Sequence, residues 1–441
     1  MQERVRKVVL FGMAVLVFLA PLKFTQPVIL YYLDNLPHGL VEWIFSGWPE
    51  SIFYKILVPL AVIGLVAARW EGLRRSVWIL PAAFLLTQMA STAVSVNPVL
   101  SRIVLLYFFT LAAGFLLGAL CVKSEDDLRW LMLGWFLGAL IVAWEGMDQA
   151  TGGLQVMRDY LYAHPEAAHG NPEIFHKVTS SRIFSTFVTA NALGDFVIVT
   201  VFILAALGWH LSKKLRSGIF AVPSCLLVIA LLFCLWKTVS KGSYAVLFMT
   251  ISLGVLVSIR NRKAAWGIIG ALLLLAAALF AVGYGRAAVE KAKLTGGARL
   301  DYWRAAWKIG RDHPVLGTGP GTFGRMYVQY KRPEDEDTKL VHNNYLQMWC
   351  DSGLPGFIAF ALWLPGTLWL WVRRWRVVPI EQRVVPTVVW CACVAFAIHS
   401  LMDFELYMVS NAWPVFVVMG WLAASTPAGR RQELPTSNIE R

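Results

Sequence analysis

Apolar runs long enough to cross a lipid bilayer recur along almost the whole chain, separated by short polar links. A helix needs about 20 mostly apolar residues to cross the hydrocarbon core. By that measure about twelve spans begin near Val5, Ser51, Val77, Ser101, Trp130, Phe187, Gly218, Gly242, Ala265, Gly353, Val384 and Phe404. The pattern predicts an all-α polytopic membrane protein. No small-x-small cleavage site follows the first run, which reads as a retained span rather than a removed signal.

The links between spans fall into two alternating sets. One is compact and basic: "RWEGLRR", "KSEDDLR", "HLSKKLR", "RNRK" and "RRWR", with "RVRK" at the start and "GRR" near the end. The positive-inside rule puts this set, and both termini, in the cytoplasm. The other set holds the long links, Lys23 to Glu50, Thr151 to Arg182 and Gly285 to Val341, and faces outward. The chain then divides into spans 1–9 over residues 1–284 and an outer loop over 285–352 with amphipathic helices and a His-Asn motif. Spans 10–12 follow over 353–425, and a cytoplasmic tail over 426–441.

Composition agrees. The chain is 57% hydrophobic and 15% charged, against about 25% charged in soluble proteins. The net charge of +13 sits in short clusters between apolar runs, which is the form of a topology signal and argues against nucleic acid as a partner. The six cysteines, Cys391 and Cys393 among them, lie mostly in apolar runs and read as small packing residues.

Four outward-facing places combine charge with a position at the membrane boundary. In "SSRIFSTFVTANALGDF" Arg182 stands at the mouth of the sixth span, followed by polar residues up to Asn191. Polar residues running into a span face protein or a water-filled cavity, although a lone arginine there also serves simply to snorkel. "WKTVSKGSYAV" leaves Lys237 and Lys241 on the outer side, against the usual charge bias. In "GGARLDYWRAAWKIGRDHPVLGTGPGTFG", Leu300, Trp303, Ala306 and Trp307 recur at helical spacing, with Asp301, Arg304, Lys308 and Arg311 opposite. That is an amphipathic helix at the interface. Arg299 reads as sitting at its start, where the dipole disfavours a cation, and the glycine-rich end could bring backbone N–H groups to a phosphate. In "HNNYLQMWCDSG", Asn343 or Asn344 is a natural cap for a short helix ended by Gly353. Capping leaves His342 unexplained, and a histidine near a helix start tends to stay neutral, the form that accepts a proton. The acidic run "PEDEDTK" reads as a solvated stretch. Cations gathered around one neutral base, with no carboxylate cluster of magnesium type, describe a site for a phosphorylated lipid in which fixed charge replaces a metal.

These stretches, in this order, resemble the O-antigen ligase and polymerase family of bacterial envelope glycosyltransferases. "HSLMDFELYMVSNA", with His399 and Asp403, resembles the family's C-terminal signature, and "SVNPVLS" resembles a family turn. The resemblance covers mainly Arg182 to Asn411 and implies a GT-C-like membrane fold. It implies transfer of a glycan from undecaprenyl pyrophosphate to an acceptor hydroxyl at the periplasmic face of the bacterial inner membrane, with no metal or other cofactor. Arg182 and Arg299 would hold the pyrophosphate and His342 would act on the acceptor. Lys241, Asn343, Asn191, Arg304, His399 and Asp403 would line the substrate site. Lys241 stands where the family has arginine, keeping the charge and losing the fork. The acceptor is lipid A–core for a ligase, the growing glycan for a polymerase, or a protein for an O-oligosaccharyltransferase. A reading of a different class is a polysaccharide or lipid transporter, since Lys55, Glu145 and Asp195 lie within or at the edges of spans.

Overall fold

The computed structural model describes residues 3–33, 36–68, 70, 73–165, 177–259, 261–283, 285–375 and 382–425. The expected tail over 426–441 lies outside them, as do Arg69, Arg260 and Arg376 of the basic links. Among the described residues the regular structure is helical, with one isolated bridge between Pro27 and Met408. In chain order the helices are α1 (Glu3–Lys23), α2 (Leu40–Phe45), α3 (Glu50–Ala67), α4 (Arg75–Ala93), α5 (Pro98–Cys121), α6 (Glu125–Asp148) and α7 (Leu154–Ala163). They continue as α8 (Ala190–Lys214), α9 (Val222–Thr238), α10 (Lys241–Ser258), α11 (Arg262–Gly283), α12 (Gly285–Asp312) and α13 (Phe323–Tyr330). The last three are α14 (Asn344–Trp375), α15 (Val384–His399) and α16 (Val409–Ala424).

Nine helical segments among the described residues are long and apolar enough to cross a membrane, and α15 and α16 are shorter apolar helices. With α11 they account for all the expected spans. The protein is an all-α polytopic membrane protein.

The innermost helix is α16, buried along almost its whole length. It packs on α5 where glycines let the backbones touch: a side chain on Gly118 would overlap the Val417 carbonyl, and one on Gly420 the Phe115 carbonyl. Small residues at such crossings give helices in lipid their dispersion contact.

The two ends of the bundle differ chemically. At the basic end Arg6 donates to Asp127 at 2.7 Å and to the Cys121 carbonyl at 2.9 Å, and His210 meets Glu125 and Asp126. At the other end Thr25 donates to the Thr186 carbonyl, Thr186 to that of Pro21, and the Ser410 amide to that of Phe24. This second end carries the long links. At 16 residues each, α15 and α16 are only about 24 Å long, short of the roughly 30 Å hydrocarbon core. Their link, residues 400–408, is therefore drawn down into the bundle, and its Asp403 and Glu405 are buried.

Two local expectations change. Helix α12 starts at Gly285, so Arg299 lies about four turns inside it and not at its N-terminus. The buried face of α12 is Tyr302, Ala305, Ala306 and Ile309, while Leu300 and Trp307 are exposed. The helix packs closely on α14, where a side chain at Gly310 would overlap Trp349. Of the expected apolar face, Ala306 is buried and Trp303 packs against the buried cluster.

Candidate active site

The opening of α14 is built from its own sequence. Asn343 caps it, its Oδ1 accepting from the Tyr345 and Leu346 amides at 3.0 and 3.1 Å. Asn344 ties it to the end of α15, through its amide to the Ser400 carbonyl at 2.7 Å and its side chain to Ser400 Oγ at 3.2 Å. Gly353, at φ 65°, breaks the helix as expected, but the chain resumes helically and crosses on to Trp375. A side chain there would strike the Pro314 and Val315 carbonyls.

His342 precedes this cap with φ +54°, a left-handed conformation unusual for a residue with a Cβ. The turn delivers its imidazole to the 400–408 link, where Nδ1 lies 2.9 Å from Asp403 Oδ1. Tyr302 stacks on the ring at 5.8 Å between centroids, Phe404 meets it edge-on at 4.8 Å, and Trp303 donates to the His342 carbonyl at 3.4 Å. Arg299 reaches the same carboxylate, Nη2 to Asp403 Oδ2, at 3.4 Å. Asp403 thus joins the imidazole to a guanidinium, and what fixes Arg299 is this carboxylate rather than a helix dipole.

Burial alone would raise the Asp403 carboxyl. His342 and Arg299 outweigh it and hold the group well below the usual carboxylate range. An ionised Asp403 accepts from Nδ1–H, which leaves the lone pair of a neutral imidazole on Nε2. A depressed carboxylate contributes stability that is complete above its unfolded value of about 3.9 and lost as pH falls below it. We expect the melting temperature in detergent to fall more between about pH 4 and pH 2, the window beneath the unfolded value, in the wild type than in Asp403→Asn. Equal falls would remove Asp403 from the pH response.

Arg182 lies at the same end of the bundle. Its Nε donates to the Thr238 carbonyl at 2.6 Å and its Nη2 to Asn191 Oδ1 at 2.7 Å, joining the mouth of α8 to the α9–α10 turn. That turn carries Lys241 and Ser243, and Ser243 Oγ is 3.3 Å from His399 Nε2. The His399 carbonyl accepts the Asp403 amide at 3.2 Å. A continuous set of contacts therefore runs from Arg182 to His342. Lys237 lies over the Trp236 ring at 4.6 Å, a cation–π contact that gives this outer-side lysine a structural role. The sequence reading passed over Lys177, whose ammonium sits 3.9 Å from the Phe184 ring centre, where burial lowers it to about 8.

Arg304 is held elsewhere, 2.9 Å from both Asp301 and Asp335. Asp335 is buried and also accepts the Arg332 amide, so the acidic run is anchored and not merely solvated. The glycine-rich turn likewise has its amides engaged. Gly321 and Phe323 donate to the Asp351 carboxylate at 2.7 and 3.1 Å, and Gly319 to the Asp351 carbonyl at 2.8 Å. "SVNPVLS" packs on this turn, with the Val96 amide on the Thr318 carbonyl and Ser101 Oγ on that of Pro320. These amides position the turn; they are not a phosphate cradle. Asp351→Ala leaves several buried donors unpaired at about 1–3 kcal/mol each. We expect more than about 3 kcal/mol of destabilisation, read as a lower thermal midpoint and poor yield in detergent, and an unchanged midpoint would show the turn to be held by other contacts.

A helical bundle with a histidine–carboxylate–arginine cluster at one end defines a multi-pass membrane protein with a site suited to proton transfer beside an anion. Residues 225–361 match the family described as O-Antigen ligase. The matched segment includes Lys241, Arg299, Arg304, His342 and Asn343. Arg182, Asn191, His399 and Asp403 lie outside the matched range. An uncharacterized protein of Haemophilus influenzae (strain ATCC 51907 / DSM 11121 / KW20 / Rd) is 26% identical over 122 residues, 26% of this chain and 29% of that protein. The chain therefore spans under a third of the relative it matches.

Proposed function

We infer that the protein is an O-antigen ligase-type glycosyltransferase of the bacterial inner membrane. It takes a glycan from undecaprenyl pyrophosphate and joins it to an acceptor hydroxyl, of lipid A–core in the first instance, at the periplasmic face. The observation that carries this reading is His342 Nδ1 on Asp403, which also meets Arg299, within or beside a segment of the O-antigen ligase family.

The chemistry follows from these groups. His342 Nε2 takes the acceptor proton as the hydroxyl oxygen attacks the anomeric carbon. The bond from that carbon to pyrophosphate breaks, and its electron pair goes to the leaving phosphate oxygen. Arg299 keeps donors beyond the one on Asp403, and with Arg182 it faces the charge that grows on the pyrophosphate. The products are the glycosylated acceptor and undecaprenyl pyrophosphate, with the proton left on His342 for release. Cytoplasmic termini and a periplasmic site follow from the alternation of basic links.

The test is reconstitution of the purified chain in liposomes with an undecaprenyl-pyrophosphate-linked glycan and three acceptors separately: lipid A–core, the lipid-linked glycan itself, and a protein. The ligase reading expects product on lipid A–core. Product only on the lipid-linked glycan, or only on protein, transfers the assignment to a polymerase or a protein transferase. Movement of the lipid across the bilayer without covalent product would assign transport instead.

A further inference from the structure

Beneath the link that carries Asp403 lies a second polar cluster that the reaction does not use. Asp195 on α8, His399 at the end of α15 and Glu405 in the 400–408 link each offer one ligand atom, all within 4.8 Å of one another. The three residues are 0, 2 and 2% exposed. His399 Nδ1 is 3.5 Å from Asp195 Oδ1 and 3.3 Å from Glu405 Oε2. Neither contact has hydrogen-bond geometry: Asp195 Oδ1, His399 Nδ1 and both Glu405 oxygens have no hydrogen-bond partner among the described residues. Three such atoms, one from each residue, lie together and point to a bound ligand, because a buried polar atom left unpaired is costly.

The surroundings fix these donors from behind. Asn411 Nδ2 donates to the other Asp195 oxygen at 2.8 Å. Ser243 Oγ stands 3.3 Å from His399 Nε2. With its proton on Nε2, toward Ser243, the ring presents the Nδ1 lone pair to two carboxylates, an arrangement that repels unless a proton or a metal cation lies between. Hydrogen bonds to the second ring nitrogen and to the far carboxylate oxygen are what orient metal ligands.

We propose that Asp195, His399 and Glu405 bind a divalent transition-metal ion, with zinc the best fit. Zinc takes imidazole nitrogen and carboxylate oxygen at about 2.0–2.2 Å in a tetrahedron, which sets two donors roughly 3.4 Å apart. The two separations from His399 are 3.3 and 3.5 Å, and the two carboxylate oxygens lie within 4.8 Å of each other. Magnesium at about 2.1 Å in an octahedron would bring neighbouring donors to roughly 2.9 Å and prefers oxygen alone. The nitrogen donor also favours a transition metal. Two carboxylates and a neutral imidazole leave a double negative charge that a divalent ion cancels, as burial demands. Glu405, with two unpartnered oxygens, can supply a fourth donor.

The ion would pin the 400–408 link to α8, and through it the carboxylate that orients His342. It lies outside the reacting groups, so its binding does not depend on the reaction proposed above. It revises the expectation that the protein holds no metal. The cluster escapes a sequence search because Asp195 comes from a distant helix and no ligand spacing is present.

The test is metal analysis by mass spectrometry of the full-length protein, purified in detergent without chelator, incubated with zinc sulfate and desalted. The site predicts about one zinc per chain, falling at least about five-fold in His399→Ala and in the near-isosteric Glu405→Gln. Both variants are compared as single symmetrical peaks on size exclusion. A wild type without stoichiometric metal after zinc loading overturns the site and leaves a protonated imidazole between the carboxylates. Zinc retained by both variants overturns it as well. Glycan transfer by a wild type that takes up no zinc on loading removes this site and leaves the transferase reading standing; stoichiometric zinc in a protein inactive on every acceptor does the reverse.

Discussion

His342→Ala, inserted in the membrane at the wild-type level, transfers glycan at no more than about one hundredth of the wild-type rate, the scale of a positioned general base. The ring receives a precise address: a left-handed backbone at φ +54°, a carboxylate 2.9 Å from Nδ1, and Tyr302 and Phe404 against its faces. Such a setting fixes the tautomer and aims Nε2 away from Asp403. The substitution leaves the caps of α14 intact, because Asn343 and Asn344 make those bonds. Wild-type turnover in an inserted His342→Ala protein would sink the assignment of the base.

Arg299→Ala carries a loss of similar or greater size. A fixed cation facing growing negative charge in a shielded site is worth on the order of 3 kcal/mol, or about 100-fold in rate. This arginine also partners Asp403 at 3.4 Å, so its removal leaves a buried carboxylate held by His342 and the Phe404 amide. Arg299→Lys separates the two roles. A lysine supplies charge without the fork, and turnover between those of the wild type and the alanine variant is expected. If alanine and lysine variants both turn over like the wild type, Arg299 is a structural brace and the pyrophosphate is held by other groups.

Much of the architecture is legible in the sequence, because crossing a bilayer demands long apolar runs and their number survives uncertainty about their ends. Alternating basic links gave the two ends, and contacts such as Arg6 with Asp127 and His210 with Glu125 gather the basic set. The candidate residues His342, Arg299, Asp403 and His399 were likewise visible from motifs. What stayed hidden depends on partners far along the chain. Arg299 read as the start of its helix, yet α12 begins at Gly285 and is packed farther along at Gly310 against Trp349 of α14. The glycine turn looked like an anion loop because nothing in its own residues announces that Asp351 accepts its amides. Arg304 was expected to line the substrate site, and nothing in its local sequence announces that Asp301 and Asp335 hold it.

The central claim is that fixed cations beside an imidazole grip the pyrophosphate of a lipid-linked donor. A cryo-electron microscopy structure of the protein bound to undecaprenyl pyrophosphate examines it most directly. The account predicts the diphosphate within hydrogen-bond distance of Arg299 and Arg182, with His342 Nε2 turned toward the space where an acceptor would enter. Density for the diphosphate at the basic end of the bundle, or out of reach of both guanidinium groups, would contradict it.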